Sequence, residues 1–265
     1  MLKLNEMNEA LSLEVPEEIW DDINNVRLDP DKIKIFIAGD STACDYPHTG
    51  SPNRYPRTGW GQVLGERFND KIQVVNCAIS GRSSKSFLTE ENFDYIRRNI
   101  SEGDYLMIQF AHNDSKESDA ARFTTPKDGT YQECIYKYIN AARKNGAKPI
   151  LATSVTRNVP EDETLAPYGD ALKAIGKDED IPVLDIYSLS NEHKQQNPDD
   201  HTLLYMRLLP HDARFTDYPE FINSEYYVPG SHDNTHLNIS GARYIAELAV
   251  SELKRLNHPL TKYLI

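Results

Sequence analysis

Ser41 follows a short Ile-rich run, in Gly39-Asp40-Ser41, and an Asp-x-x-His pair, Asp233 and His236, lies shortly before the last stretch of the chain. A serine hydroxyl is a weak nucleophile near neutral pH. It needs a base within hydrogen-bond reach, and the base needs a group that orients it. Acyl chemistry also needs donors aimed at the oxyanion that forms on the carbonyl. Gly81, whose turn can direct an N–H into a site, and Asn113, in Ala111-His112-Asn113-Asp114, are of the right types. Each residue also has a plain structural reading. Ser41 fits a helix cap, Gly81 a turn glycine, Asn113 a loop cap, and Asp233 with His236 a solvated pair. Their combination, in this order and at strand ends, fits nucleophilic catalysis better than four separate accidents.

Elements must bring these residues together. Residues 33–38 (IKIFIA) read as a buried strand ending in the turn that carries Ser41. Residues 59–68 read as a helix, 72–75 as a second strand, and 81–86 as a polar loop. Thr89 reads as the N-cap of a helix running to about residue 100. A third strand over 104–110 leads directly into His112 and Asn113. A helix over 132–144 stops at Gly146. Strands at 149–152 and 182–186 flank a helix over 168–177, and a further helix begins near Ser188. Residues 210–238 read as irregular, and 239–256 as an amphipathic closing helix. Strands alternating with helices predict a parallel five-stranded sheet covered on both faces. Ligands of such sheets sit at the carboxyl ends of the strands, so Ser41, Gly81 and Asn113 are expected to share one rim.

The composition narrows the partners. With 265 residues the chain suits one sizeable α/β domain. A net charge of −12 argues against a nucleic-acid partner. No apolar run of about 20 residues is present, so no membrane-spanning helix is expected. The acidic prefix, residues 1–31, has no basic start and no apolar run. A cytoplasmic location is therefore expected, or secretion if a leader has been trimmed away. Cys44, Cys77 and Cys134 form neither a pairing framework nor a zinc spacing. Cys44 reads as a packed thiol, His193 and His211 as solvated loop histidines, and His112 as a packed neighbour of Asn113. His232, Asp233 and His236 do not have a metal-ligand spacing, and no cofactor is expected.

The segments Gly39-Asp40-Ser41-Thr42-Ala43, Gly59-Trp60-Gly61, Asn76-Cys77-Ala78-Ile79-Ser80-Gly81-Arg82-Ser83, Phe110-Ala111-His112-Asn113-Asp114, 149–157 and Asp233-Asn234-Thr235-His236 together resemble the SGNH (GDSL-like) hydrolases. Within that superfamily they are most similar to the rhamnogalacturonan acetylesterase group. The match spans residues 32–253 and leaves the prefix 1–31 outside a hydrolase domain over 32–265. Ala111 and Ser80 stand where the family often has glycine. The resemblance implies a three-layer α/β/α sandwich of flavodoxin-like type and ester hydrolysis without a metal. It implies that Ser41 is acylated, that His236 is the base and that Asp233 orients it. The oxyanion hole would consist of the Ser41 and Gly81 N–H groups and the Asn113 side chain.

The implied substrate is an acetylated oligosaccharide derived from pectin. Alternatives are acetylated xylan or another acetylated glycan or metabolite, a lipase or thioesterase activity, and a silent glycan-binding protein. The loops carry Tyr46, His48, Arg54, Tyr55, Arg57 and Trp60, with Arg82, Lys85, Arg157, Tyr226, Tyr227 and His232 near the other segments. Aromatics stack on sugars and arginines pair with carboxylates. Arg82, Tyr46, Trp60 and His232 are thus expected to contact substrate, and Arg82 equally suits an ion pair with Asp40.

Overall fold

The computed structural model describes residues 23–47, 56–127 and 129–265. Five parallel strands, β1 (Ile33–Gly39), β2 (Ile72–Asn76), β3 (Tyr105–Gln109), β4 (Lys148–Ala152) and β5 (Val183–Leu184), lie in the order β2-β1-β3-β4-β5. Eight α-helices occur among the described residues. They are α1 (Trp60–Leu64), α2 (Glu91–Asn99), α3 (Thr130–Lys144), α4 (Ala166–Glu179), α5 (Ile186–Gln196), α6 (Pro198–Thr202), α7 (Pro219–Ile222) and α8 (Ile239–Arg255).

Alternation along β1 assigns the two faces. Ile35 and Ile37 pack with Trp60 and Ala246 on the side of α1 and α8. Phe36 and Ala38 pack with Phe93, Tyr138 and Leu172, on the side of α2, α3 and α4. Each strand face therefore has its own apolar layer, as the parallel arrangement requires. In α8 the buried Ala242, Ile245, Ala246, Ala249, Val250 and Leu253 recur at three- and four-residue spacing. The three-layer sandwich expected from the sequence is what the chain forms. No helix among the described residues is long and apolar enough to cross a membrane.

Several local expectations are corrected. Thr89 does not cap α2. It ends a 3-10 turn, its hydroxyl donates to the Ser86 carbonyl at 3.0 Å, and the helix starts after Glu90. The helix expected over 59–68 is a short α1 followed by a 3-10 turn, Gly65–Arg67. Ser41 caps no helix; it sits in a tight turn. Residues 210–238 are not wholly irregular. β7 (His232–Leu237) pairs antiparallel with β6 (Tyr205–Arg207) in a small second sheet. The Asn238 amide secures that pairing by donating to the Leu203 and Tyr205 carbonyls, each at 2.8 Å. His193 is a half-buried residue of α5, and its Nδ1 lies 3.0 Å from that of His201, whereas His211 is exposed.

Of the acidic prefix, residues 23–31 are described. Ile23 is buried against the α2 layer, the Tyr95 hydroxyl donates to the Val26 carbonyl at 3.1 Å, and the Asp29 N–H donates to Gln73 at 2.9 Å. The body of the domain thus reaches back to Ile23. The order of the strands reverses at β1, which has β2 on one side and β3 on the other. The crevice of such a sheet opens at this reversal, beyond the carboxyl ends of the strands.

Candidate functional site

The turn after β1 is held from within. The Asp40 carboxylate, fully buried, accepts from the Thr42 N–H and hydroxyl, each at 2.9 Å. Beneath it, the buried Gln109 at the end of β3 accepts from Thr42 and from the Trp60 indole N–H, each at 3.0 Å, and donates to Ser154 at 2.9 Å. A net contribution of about 1 kcal/mol per bond is typical, and leaving one such group unpaired costs more. This explains why Trp60 is not a sugar platform. Its ring is wholly enclosed and its N–H is committed to Gln109. Tyr46 is corrected likewise: it is buried, and its hydroxyl donates to the Ser41 carbonyl at 2.8 Å.

The closing strand reaches this turn through residues 57–60. The Trp60 N–H donates to the Thr42 carbonyl at 2.9 Å, while the Thr58 N–H donates to the Leu237 carbonyl of β7 at 3.0 Å. Arg57 and Asn238 form a bridge beside it. Gly59 makes the approach possible, because a Cβ there would lie 2.1 Å from the Cys44 carbonyl oxygen. Segment 57–60 is thus clamped to the Ser41 turn on one side and to the strand carrying Asp233 and His236 on the other. The Tyr46 ring spans the same gap: its hydroxyl holds Ser41, and its edge stands against the His236 imidazole with centroids 6.5 Å apart.

Asp233 and His236 form a closed unit. Asp233 Oδ2 lies 2.6 Å from His236 Nδ1. Its other oxygen accepts from the Thr235 and His236 N–H groups at 2.8 and 3.0 Å. The buried Arg57 lies 3.6 Å away. Burial alone would raise the Asp233 carboxyl, but His236, Arg57 and the backbone donors outweigh it and hold the group well below the usual carboxylate range.

The loops after β2 and β3 meet beside this unit. Gly81 has φ +79°, a conformation that suits glycine. The Asn113 amide donates to the Arg82 carbonyl at 3.0 Å. Asp114, buried behind it, accepts from the Ser84 N–H and hydroxyl and from the Thr124 hydroxyl, so it ties the two loops together. Burial raises its carboxyl to about 7 against those bonds. His112 is 2% exposed, and among the described residues its ring nitrogens make no hydrogen bond of ordinary geometry, the Val155 backbone being the polar group beside them. Burial lowers it to about 4, against the opposing pull of Asp40, so the ring is neutral at ordinary pH.

The structure therefore gathers Ser41, Gly81, Asn113, Asp233 and His236 around the carboxyl ends of β1, β2 and β3. Arg82 is not paired with Asp40. Its Nε lies 2.7 Å from Glu90, which occupies part of its fork. His232 is exposed on β7. His48, Arg54 and Tyr55 lie outside the described residues. Among the described residues no group of three or more His, Cys, Asp or Glu side chains is placed to hold a metal ion. Gln109, the Arg57 contact to Asp233 and the Asp114 tie were not foreseen from the sequence. Only the unusual polar ending of an otherwise apolar third strand pointed toward Gln109.

The family model described as "GDSL-like Lipase/Acylhydrolase family" matches residues 37–244. Rhamnogalacturonan acetylesterase RhgT of Bacillus subtilis (strain 168) is 35% identical over 239 residues, which cover 88% of this chain and 94% of that protein. Probable rhamnogalacturonan acetylesterase YesY of the same organism is 32% identical over 235 residues, covering 87% of this chain and 97% of that protein. Among solved structures, protein YxiM of Bacillus subtilis superposes with a TM-score of 0.63 at 26% identity; the match covers 86% of this chain and 58% of that one. A catalytic mutant of Axe2, an acetylxylan esterase from Geobacillus stearothermophilus, has a TM-score of 0.53 at 17% identity, covering 83% of this chain and 94% of that one, which shows a shared fold. With most of its length under the family model and the Ser41 turn, the Asp233–His236 pair and the two glycine- and asparagine-bearing loops drawn to one rim, the chain belongs to the GDSL-like lipase/acylhydrolase family.

Proposed function

We propose that this protein is a serine esterase that removes acetyl groups from rhamnogalacturonan oligosaccharides. The observation that carries the reading is the clamp of residues 57–60, which draws the Asp233–His236 pair from the end of the chain to the turn bearing Ser41. The substrate follows from likeness to RhgT and YesY along nearly the whole of both proteins.

In this reading the Ser41 hydroxyl attacks the acetyl carbonyl while His236 Nε2 takes its proton. The carbonyl oxygen becomes an oxyanion held by the Ser41 and Gly81 N–H groups and the Asn113 amide. Collapse breaks the bond to the sugar oxygen, which receives the proton from His236, and leaves acetyl-Ser41. Water, deprotonated by His236, then attacks the acetyl group and releases acetate and free serine. Asp233 fixes the imidazole tautomer with the proton on Nδ1 and stabilises the cation formed on the way. Ser41, His112 and Asn113 are each less than a tenth exposed, which suits a one-carbon acyl tail better than a long chain.

The test is acetate release from defined acetylated oligomers. Rhamnogalacturonan oligomers should give a kcat/KM at least roughly tenfold above acetylated xylo-oligomers, a difference of about 1.4 kcal/mol in transition-state binding. An equal or reversed preference removes the pectic assignment and leaves an acetylesterase of another glycan. Preference for octanoate over acetate esters removes the acetylesterase reading altogether.

A further inference from the structure

We propose that Arg122 is a positioning residue for the oxyanion donors, acting through Asn113 and the Gly81 peptide. The inference rests on the reading above, in which those donors stabilise the transition state.

Arg122 lies in the loop between β3 and α3, far in sequence from Gly81. Its Nη1 lies 3.3 Å from the Gly81 carbonyl oxygen and 3.5 Å from Asn113 Oδ1. Its Nε and Nη2 each lie 2.5 Å from Asp119 Oδ2. Asp119 in turn accepts from the Ala121 N–H at 3.1 Å, and the Arg122 N–H donates to the Asp119 carbonyl at 3.0 Å, so this short turn is closed on itself. An Asp–Arg pair three residues apart at the surface contributes little by itself. What distinguishes this one is the remaining face of the fork, which is directed at two groups assigned to the oxyanion hole.

The consequence for Asn113 is directional. A carboxamide has an accepting end and a donating end. With the guanidinium on its oxygen, a flip would set the NH2 group against a cation. The amide nitrogen is therefore turned toward the Arg82 carbonyl, which takes one of its two hydrogens at 3.0 Å. The other hydrogen is the one the developing oxyanion takes. For Gly81, the following peptide is held at both ends: Arg122 takes its carbonyl, and the Arg82 N–H donates to the Ile79 carbonyl at 3.4 Å. A left-handed glycine is the freest residue in the chain, and this bracing fixes it. A permanent positive charge behind both donors also favours negative charge in front of them.

The experiment measures kcat and KM for acetate ester hydrolysis in wild type, Arg122→Gln, Arg122→Lys, Asn113→Ala and the Arg122→Gln/Asn113→Ala double variant. Arg122→Gln should lower kcat roughly 10- to 100-fold, the size of effect that misplacing a catalytic group produces, with KM within about twofold. Lysine, a point charge that cannot span three partners, should restore little of this. On the Asn113→Ala background the same change should cost at least about threefold less than on the wild-type background, because one of the two donors it positions is gone and only the Gly81 contact remains. A kcat within twofold of wild type for Arg122→Gln, beside an Asn113→Ala that falls more than a hundredfold, overturns the inference and leaves the esterase reading standing. Equal losses on both backgrounds also overturn it. An Asn113→Ala of full activity overturns the oxyanion assignment itself. If the glutamine variant does not fold, the lysine variant on both backgrounds gives the same comparison.

Discussion

Ser41→Ala is expected to lower kcat/KM for p-nitrophenyl acetate by roughly ten-thousand-fold or more, the scale on which serine hydrolases lose their nucleophile. The change removes one oxygen and, among the described residues, no structural bond. The turn around Ser41 is held by Asp40 with Thr42, by Gln109, and by the Tyr46 hydroxyl on the Ser41 carbonyl, all of which an alanine retains. The thermal unfolding midpoint should therefore stay near that of wild type, which separates lost chemistry from lost structure. Retention of more than about a tenth of the activity would require another nucleophile. Cys44 is the nearest thiol in sequence, but it is enclosed in the α1 and α8 layer and is not in a position to replace Ser41.

Asp233→Asn should cost about ten-thousand-fold in kcat, again with the fold retained. The asparagine oxygen can keep the Thr235 and His236 N–H bonds that Oδ1 accepts. Its nitrogen, however, replaces the oxygen 2.6 Å from His236 Nδ1. Two donors cannot face each other, so the imidazole would carry its proton on Nε2, where it cannot accept the serine proton. Arg57 would lose its counter-charge at the same time. Because His236, Arg57 and the backbone hold the Asp233 carboxyl far down despite its burial, it remains ionised throughout the neutral and mildly acidic range. Any acid limb in the wild-type pH profile must therefore come from a group other than Asp233. A loss of less than tenfold for Asp233→Asn would remove its orienting role.

The sheet and the rim were legible because they depend on local pattern. The apolar runs of β1 and β3 end abruptly in polar turns, and that alone places Ser41 and Asn113 at neighbouring strand ends. What local pattern cannot reveal depends on contacts between distant residues. β7 has the sequence HDNTHL, polar throughout, and owes its extended form to β6 and to the Asn238 amide rather than to alternation. Trp60 resembles a sugar-stacking residue until its indole N–H is found to be needed by Gln109, 49 residues away. Arg57 reaches Asp233 from a segment that the Thr58 N–H and the Arg57–Asn238 bridge lay along the closing strand, far along the chain. Arg82, equally suited to Asp40 or to a uronate on composition, is partly taken up by Glu90, eight residues on. In each case the residue type was visible and its partner was not.

In the proposed mechanism a hydroxyl from the opening turn is activated by an imidazole from the closing strand. Reaction with a fluorophosphonate, followed by peptide mapping by mass spectrometry, tests this directly in wild type and in His236→Ala. Such activation implies a single phosphonyl adduct on Ser41 in the wild type, formed at least about a hundredfold more slowly without the imidazole. An adduct on any other residue, or an equal rate of Ser41 labelling in both proteins, would contradict it.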